Sequence, residues 1–430
     1  KMFSHCLKLS YKDTAQQNSY VTIPRATNSF DNTEIVANVD EDIIDSLTGG
    51  RLVGSVTSFE NFAECPLRYY LRYGVDLKER EEFTFSPVNF GVVLHAVIRE
   101  VCDEIKKNGE SYYLISEEKR REMVKRSVAA ITDIYQNSIL KDSSRNSFMI
   151  KRMEDLADRT VWAMGEQLKC GDFVPFVFEH KFNMEVGDGD RKQLMSGTID
   201  RVDICENGTD VYVRIIDYKT GKKDFNIVKT YYGIDIQLMV YMEAAMKLVA
   251  KMRPGKNVIP AGVFYYNISD PIVSATTESA EEIEDKIKGE LRLKGMVNSD
   301  KDIAEKMDNT GGTSLNIPVS RKADGGFDSR RSKVMNTEQF NMLGRFVDVR
   351  AVDTADRIAG GDIRRSPYKD GQFSSCDRCP YGAVCGFSVD LPGCNYRKLK
   401  KFDDEVLWNN IKEGVDENGK KMDTGAEERD

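Results

Sequence analysis

The residue pattern predicts an α/β fold of the α+β kind, a mixed sheet with a central β-meander flanked by helices, and three observations carry that prediction. From Phe173 the apolar period becomes two, through FVPFVFEHKFNMEV, a second strand ending at Ile204 and a third from Val211 to Asp217, the signature of consecutive strands. Asn207-Gly208 stands between the second and third, and this dipeptide is a strong signal for a tight antiparallel turn. On either side of the strand block the period changes to that of helices, in GVVLHAVIREVCDEIKKNG before it and YYGIDIQLMVYMEAAMKLVAKM after it.

Composition allows a real core and excludes several classes. A chain of 430 residues with 40% hydrophobic content can hold one large domain or a few ordinary ones. No run of ~18 apolar residues occurs and no signal peptide opens the chain, so a cytoplasmic protein without a membrane partner is expected. The first residue is Lys1 rather than Met, as expected of part of something longer. With 62 basic and 70 acidic residues the formal charge is -8, so any nucleic-acid binding has to be local. Basic clusters occur at Arg68, Arg72, Lys78 and Arg80, at Lys219, Lys222 and Lys223, at Arg364, Arg365 and Lys369, and from Arg397 to Lys401; each alone reads as a solvated face.

In chain order, residues 1–50 lack sustained periodicity and are expected to form an N-terminal arm or the end of a preceding domain. Thr57-Ser58 then caps a helix, SFENFAECPLRYYLRYG, which Pro66 kinks or splits and Gly74 closes. Cys65 inside it reads, by itself, as core. His95, one of three histidines, lies among Val92, Leu94, Val97 and Ile98 and by itself reads as a satisfied buried histidine. A helical insertion spans about 116–169. Glu179 on the first strand could add a carboxylate at the site's edge, though an exposed edge glutamate is the favoured reading. Thr220-Gly221-Lys222-Lys223 follows the third strand, and no G-x-x-x-x-G-K-[ST] occurs, so the segment has no ATP-binding P-loop.

In the buried helix that comes next, Gln237 and Tyr241 share a face. They need partners, either at a carboxylate site of the sheet or on backbone. AGVFYYNISDPIV is a further strand, and residues 296–335, with NTGGTS and ADGGFDSRR, are expected to be a mobile insertion. Thr337 opens a long helix ending near Gly360-Gly361. LKKFDDEVLWNNIKEG makes a short helix, and the chain is expected to be disordered from about Asp416.

The chemistry gathers on the hairpin. Val211, Val213, Ile215, Asp217 and Lys219 point to one face, because strand side chains alternate. With Asn207 and Gly208 as the loop, Asp200 faces Ile215 and becomes a diagonal neighbour of Asp217, roughly 7 to 8 Å away at the backbone. Two acids and a lysine on one face make a candidate site for a hard divalent metal. Separately, Cys376, Cys379 and Cys385 in CDRCPYGAVC supply three thiolates to one soft metal or cluster and lack a fourth ligand.

Taken together, Cys65-Pro66, the G-x-x-x-H ending in His95, GTIDRVD around Asp200, Asp217-Tyr218-Lys219, Gln237-x-x-x-Tyr241 and the three cysteines resemble the RecB-like branch of the PD-(D/E)xK nucleases, specifically its iron-sulfur-bearing members. The nuclease domain of AddB-type subunits of bacterial helicase-nucleases is similar in RIIDYKTGKK and VCGF. The resemblance covers roughly residues 51–395, leaving 396–430 as a C-terminal tail, and implies a restriction-endonuclease-like core. It implies that His95, Asp200, Asp217 and the backbone carbonyl of Tyr218 bind Mg2+ or Mn2+. Lys219 would activate water and stabilise charge on the phosphate, with Gln237 and Tyr241 in support. Cys65 would complete a 4Fe-4S cluster with Cys376, Cys379 and Cys385, pinning the two ends of the domain together.

One departure is Ile199, where the family name has proline. The implied activity is metal-dependent exonuclease cleavage of single-stranded DNA. The implied partners are a DNA end and the motor and nuclease A subunit of a heterodimer acting in double-strand break resection and recombinational repair. A freestanding iron-sulfur exonuclease of the CRISPR-associated type and a catalytically inactive DNA-binding scaffold are the alternatives.

Overall fold

The sheet is assembled on one long strand, β3 (Gln193–Asn207). Met195, Ile199, Val202 and Ile204 on it are 3% exposed or less, as in a strand covered on both faces. It pairs antiparallel with β2 (Val174–Val186) on one edge, and on the other with β4 (Asp210–Lys219), antiparallel, and with the short β1 (Val53–Ser55), parallel. The expected meander is therefore present. Beyond it β5 (Asn257–Asn267) runs parallel to β4, β6 (Lys294–Asn298) antiparallel to β5, and β7 (Val334–Met335) parallel to β6, giving the mixed sheet that was predicted. This computed structural model describes residues 38–40, 53–78, 87–134, 144–186, 193–274, 278–391 and 394–427. The arm expected over residues 1–50 lies outside the described residues apart from 38–40.

Helices cover both faces. On one, α3 (Pro87–Lys107), α4 (Glu117–Ile134) and α5 (Ser144–Lys169) pack against Tyr212, Ile216, Tyr218, Phe264 and Tyr266. The other face, with Val213, Ile215, Val263 and Tyr265, receives α1 (Val56–Glu64), α7 (Gln237–Met252) and α10 (Thr337–Ala359). The two sets alternate along β4, as a strand period of two requires. A short helix, α6 (Ile227–Tyr231), links β4 to α7, and α8 (Ala280–Glu290) lies between β5 and β6. No helix among the described residues is long and apolar enough to cross a membrane.

Several expectations are corrected. The first cap is Ser55, whose side chain accepts from the Ser58 N–H, rather than Thr57-Ser58. The split at Pro66 is real: Cys65 is extended, at φ -166, between α1 and α2 (Pro66–Tyr69), and a π-turn over Tyr70–Gly74 follows. The hairpin loop is Gly208-Thr209, since Asn207 pairs with Asp210 and Gly208 takes φ +61, a conformation suited to glycine. The register thus differs by two residues from the expected one. Parity survives, but the last pair, Arg201↔Ile216, leads to Asp200 opposite Asp217 instead of Ile215.

Residues 296–335, expected as an insertion, supply β6 in part and all of β7, and enclose α9 (Lys301–Met307). Ile303, Met307, Ile317 and Val319 there are buried in the core, which a Gly-rich and charged sequence conceals. The terminal helix, α12 (Asp404–Glu427), is longer than its apolar stretch suggested and runs past Asp416. Between α10 and α12 lie a small three-stranded sheet of β8 (Tyr368–Asp370), β9 (Phe373–Ser374) and β10 (Arg397–Lys398), and α11 (Gly382–Cys385).

Candidate active site

β3 and β4 part company at Asp200. Beyond Arg201↔Ile216 the Tyr218 N–H donates to the Asp200 carboxylate, 2.7 Å to Oδ2. On the other edge β2 carries Glu179 at φ +48, between the pairs Phe178↔Arg201 and His180↔Ile199, so Glu179 faces Asp200. A positive φ at a non-glycine residue is uncommon and marks a local kink. The kink turns Glu179 inward, where its carboxylate comes within 4.8 Å of Asp200 and His95. The expectation of an exposed edge glutamate is corrected: Glu179 belongs to the site. Its position on the strand allowed a carboxylate at the site's edge, but the inward turn depends on a backbone kink that the sequence does not announce.

His95 projects from α3 toward this point. Its Nδ1 is 3.4 Å from Asp200 Oδ1 and 3.9 Å from Glu179 Oε1, and its ring meets Tyr218 edge-on at 5.9 Å. It is half-buried rather than sunk in the core. Burial disfavours its cation, but the Asp200 hydrogen bond and the charges of Asp200, Glu179 and Asp217 outweigh burial and raise its pKa.

Asp217, 2% exposed, points to the α7 face. Its Oδ2 lies 2.5 Å from Lys219 Nζ, a direct ion pair in a buried setting. Lys219 Nζ donates to Gln237 Oε1 at 2.9 Å, and Gln237 Nε2 donates to the Tyr241 hydroxyl at 2.9 Å. The choice left open for Gln237 and Tyr241 is thereby resolved toward the carboxylate site. Burial, then the neighbouring Asp200, pushes the Asp217 pKa up to about 7, against the pull of Lys219. Burial and Asp200 raise Glu179 likewise. His95, Glu179 and Asp200 form a compact hard donor set, their ligand atoms within 4.8 Å of one another, that fits Mg2+ or Mn2+, while Asp217 stands outside that trio but close enough for its charge to be felt by His95 and for Asp200 to act on it.

The cysteines converge as well. Cys65, at the break between α1 and α2, lines one small cavity with Cys376, Cys379 and Cys385. Cys394 is buried and is not among the lining residues. Ser375 Oγ donates to the Glu64 carbonyl and Tyr381 OH to that of Leu77, so backbone contacts also tie the two distant segments.

Residues 54–386 match the profile of the PD-(D/E)XK nuclease superfamily. The chain belongs to that superfamily. Similar proteins include one named as a subunit of the ATP-dependent helicase/deoxyribonuclease of Thermoanaerobacter sp. (strain X514), 33% identical over 380 residues, 86% of this chain and 33% of the relative. The proteins of the same name from Lachnoclostridium phytofermentans and Clostridium acetobutylicum are 33% and 34% identical over 399 and 397 residues, each alignment covering 90% of this chain and 34% of the relative. The chain thus spans about a third of the length of these curated relatives. As a PD-(D/E)XK nuclease it presents Asp200, Asp217 and Lys219 together at the place where β3 and β4 separate, with His95 and Glu179 closing the far side.

Proposed function

We propose that this chain is the metal-dependent exonuclease part of an ATP-dependent helicase-nuclease, hydrolysing single-stranded DNA during break resection and recombinational repair in the cytoplasm. The observation that carries this reading is the buried Asp217–Lys219 ion pair next to the compact trio of His95, Glu179 and Asp200. His95, Asp200, Asp217 and the Tyr218 carbonyl would hold Mg2+ or Mn2+, with Glu179 adding a carboxylate. Such an ion supplies charge neutralisation at phosphate and a more acidic water. Lys219, steered by Asp217 and Gln237, places a cation where negative charge develops on the phosphate. Tyr241 fixes Gln237 in turn.

Cys65, Cys376, Cys379 and Cys385 would hold a 4Fe-4S cluster, which cross-links the two ends of the nuclease domain. That all four cysteines line one cavity supports a shared site. The names of the relatives support a motor subunit as partner and DNA as substrate.

The test is divalent-dependent cleavage of single-stranded DNA by the full-length protein with its partner, against the Lys219→Ala variant. A loss of about a thousandfold is expected, in line with other charge-stabilising deletions, with DNA affinity kept. Wild-type cleavage by folded Lys219→Ala protein would overturn the reading.

A further inference from the structure

One carboxylate near the site has no part in the chemistry so far. Glu60 lies on α1, 176 residues before the segment it serves, and its Oε1 accepts from the N–H of Ile236 at 2.9 Å and of Gln237 at 3.0 Å. These groups sit at the N-terminus of α7, where the N-cap residue Ile236 offers no side-chain cap. The first N–H groups of a helix lack intrahelical partners and favour an anionic acceptor. Glu60 supplies that acceptor from another element. The first residue of α7 is Gln237, whose side chain holds Lys219.

The surroundings lock the same turn. The Asp235 carboxylate accepts from the Tyr265 hydroxyl at 2.6 Å and pairs with Lys223 at 3.0 Å, while its carbonyl accepts from Thr230. Burial raises the Glu60 pKa to about 7 even though Lys223 and Lys219 oppose the rise. Its carboxylate is therefore retained at a cost, and the two backbone bonds are the structural return. α1 is itself fixed at both ends, by β1 paired to β3 and by Cys65 in the cysteine cavity.

Resting on the nuclease reading above, we propose that Glu60 is a positioning residue for the hydrolytic step: by capping α7 from α1 it sets the place of Gln237 and, through it, of the Lys219 ammonium beside Asp217. Displacement of a catalytic group by about 1 Å can cost on the order of 10²-fold in rate, so a cap that fixes the first residue of α7 has leverage on turnover without touching DNA.

The experiment compares Glu60→Ala and Glu60→Gln in the full-length protein with its partner, using single-stranded DNA and Mg2+. Glu60→Ala is expected to lower kcat by ~10- to 100-fold with KM, iron content and melting temperature little changed. Glu60→Gln keeps an oxygen acceptor and should recover kcat to within about threefold, since amide oxygens also cap helices. Wild-type kcat in Glu60→Ala, or Glu60→Gln falling as far as Glu60→Ala, overturns the proposal. Hydrogen exchange at the Ile236 and Gln237 amides decides it independently: protection should be lost in Glu60→Ala and kept in Glu60→Gln. If the wild type cleaves no DNA, the nuclease reading fails, whereas unchanged amide protection in Glu60→Ala refutes the cap alone.

Discussion

Asp200 and Asp203 stand a short step apart on β3, and their surroundings are opposite. Asp203 is 0% exposed and receives the Arg201 guanidinium twice, at 2.7 and 2.6 Å, and Arg214 Nε at 2.9 Å. Burial works against its charge, yet the two guanidiniums win and hold its pKa below the ordinary carboxylate value. Asp200 instead sits beside Glu179 and Asp217, with Lys219 reaching Asp217 and His95 reaching Asp200. There burial, followed by the neighbouring Asp200, wins, and Asp217 is pushed up to about 7. One strand thus carries a carboxylate matched by more positive charge than it needs and a carboxylate group with too little. The first arrangement is a closed structural triad; the second has an open demand for a cation.

Paired substitutions sharpen this contrast most. Asp217→Ala should lower divalent-dependent DNA cleavage by about a thousandfold or more while the thermal melt shows a folded protein. Asp203→Ala should do the reverse of a clean active-site change, destabilising the fold by ~3–5 kcal/mol because it strands two buried guanidiniums. The sign of the pH dependence follows from the depressed Asp203 pKa. Its stabilisation is fully present above the ordinary carboxylate value near 3.8 and is lost as pH falls through the lower folded value. Denaturant melts of wild type should therefore weaken below pH ~4. An Asp203→Ala protein as stable as wild type would break the comparison.

The cysteine site offers the next largest effect. Anaerobically purified protein should carry about four irons. Cys65→Ala should lose the iron and expose the Cys376 segment to protease, while Cys394→Ala, outside the cavity, should do neither. Stoichiometric zinc in place of iron would contradict the iron-sulfur assignment. Smaller again is His95→Ala, which should weaken Mn2+ binding, read by calorimetry, by ~10- to 100-fold with little change in melting. A large fall in melting temperature with unchanged Mn2+ affinity would return His95 to a purely structural role.

Much of the site was legible because hairpin parity is robust. A shift of two residues in register, from Asn207-Gly208 to Gly208-Thr209 as the loop, leaves Asp217 and Lys219 on their expected face. The resemblance to the nuclease family likewise marked His95 and Cys65, although each alone looked like core. Glu179 was legible only as the weaker of two alternatives and Glu60 was not legible at all. Glu179 reaches the site through a positive φ at its own backbone, and Glu60 acts on backbone N–H groups 176 residues away. Neither leaves a local pattern. The segment 296–335 was misread because its Gly-rich turns and charges outnumber the few residues, such as Ile303 and Val319, that anchor it in the core.

The smallest predicted effect tests whether crowded carboxylates suffice to mark a site. Asp348 on α10 is hydrogen-bonded to Glu243 on α7, and burial followed by that partner raises its pKa to about 8, with Lys247 opposing. No imidazole joins it: His95, Glu179 and Asp200 are the one compact metal-capable trio among the described residues. Because the folded pKa is raised, the bound proton stabilises the fold fully below the ordinary value near 3.8, and that contribution disappears as pH rises through about 8. Asp348→Asn removes the titrating group, so melts at pH 9 should show a gain of ~1 kcal/mol after allowance for solvent screening of this half-buried pair. The gain should vanish near pH 4, and DNA cleavage should stay at the wild-type rate. If Asp348→Asn instead impairs cleavage as Asp217→Ala does, carboxylate crowding alone identifies function, and the distinction drawn between a hard donor set and a mere like-charge pair fails.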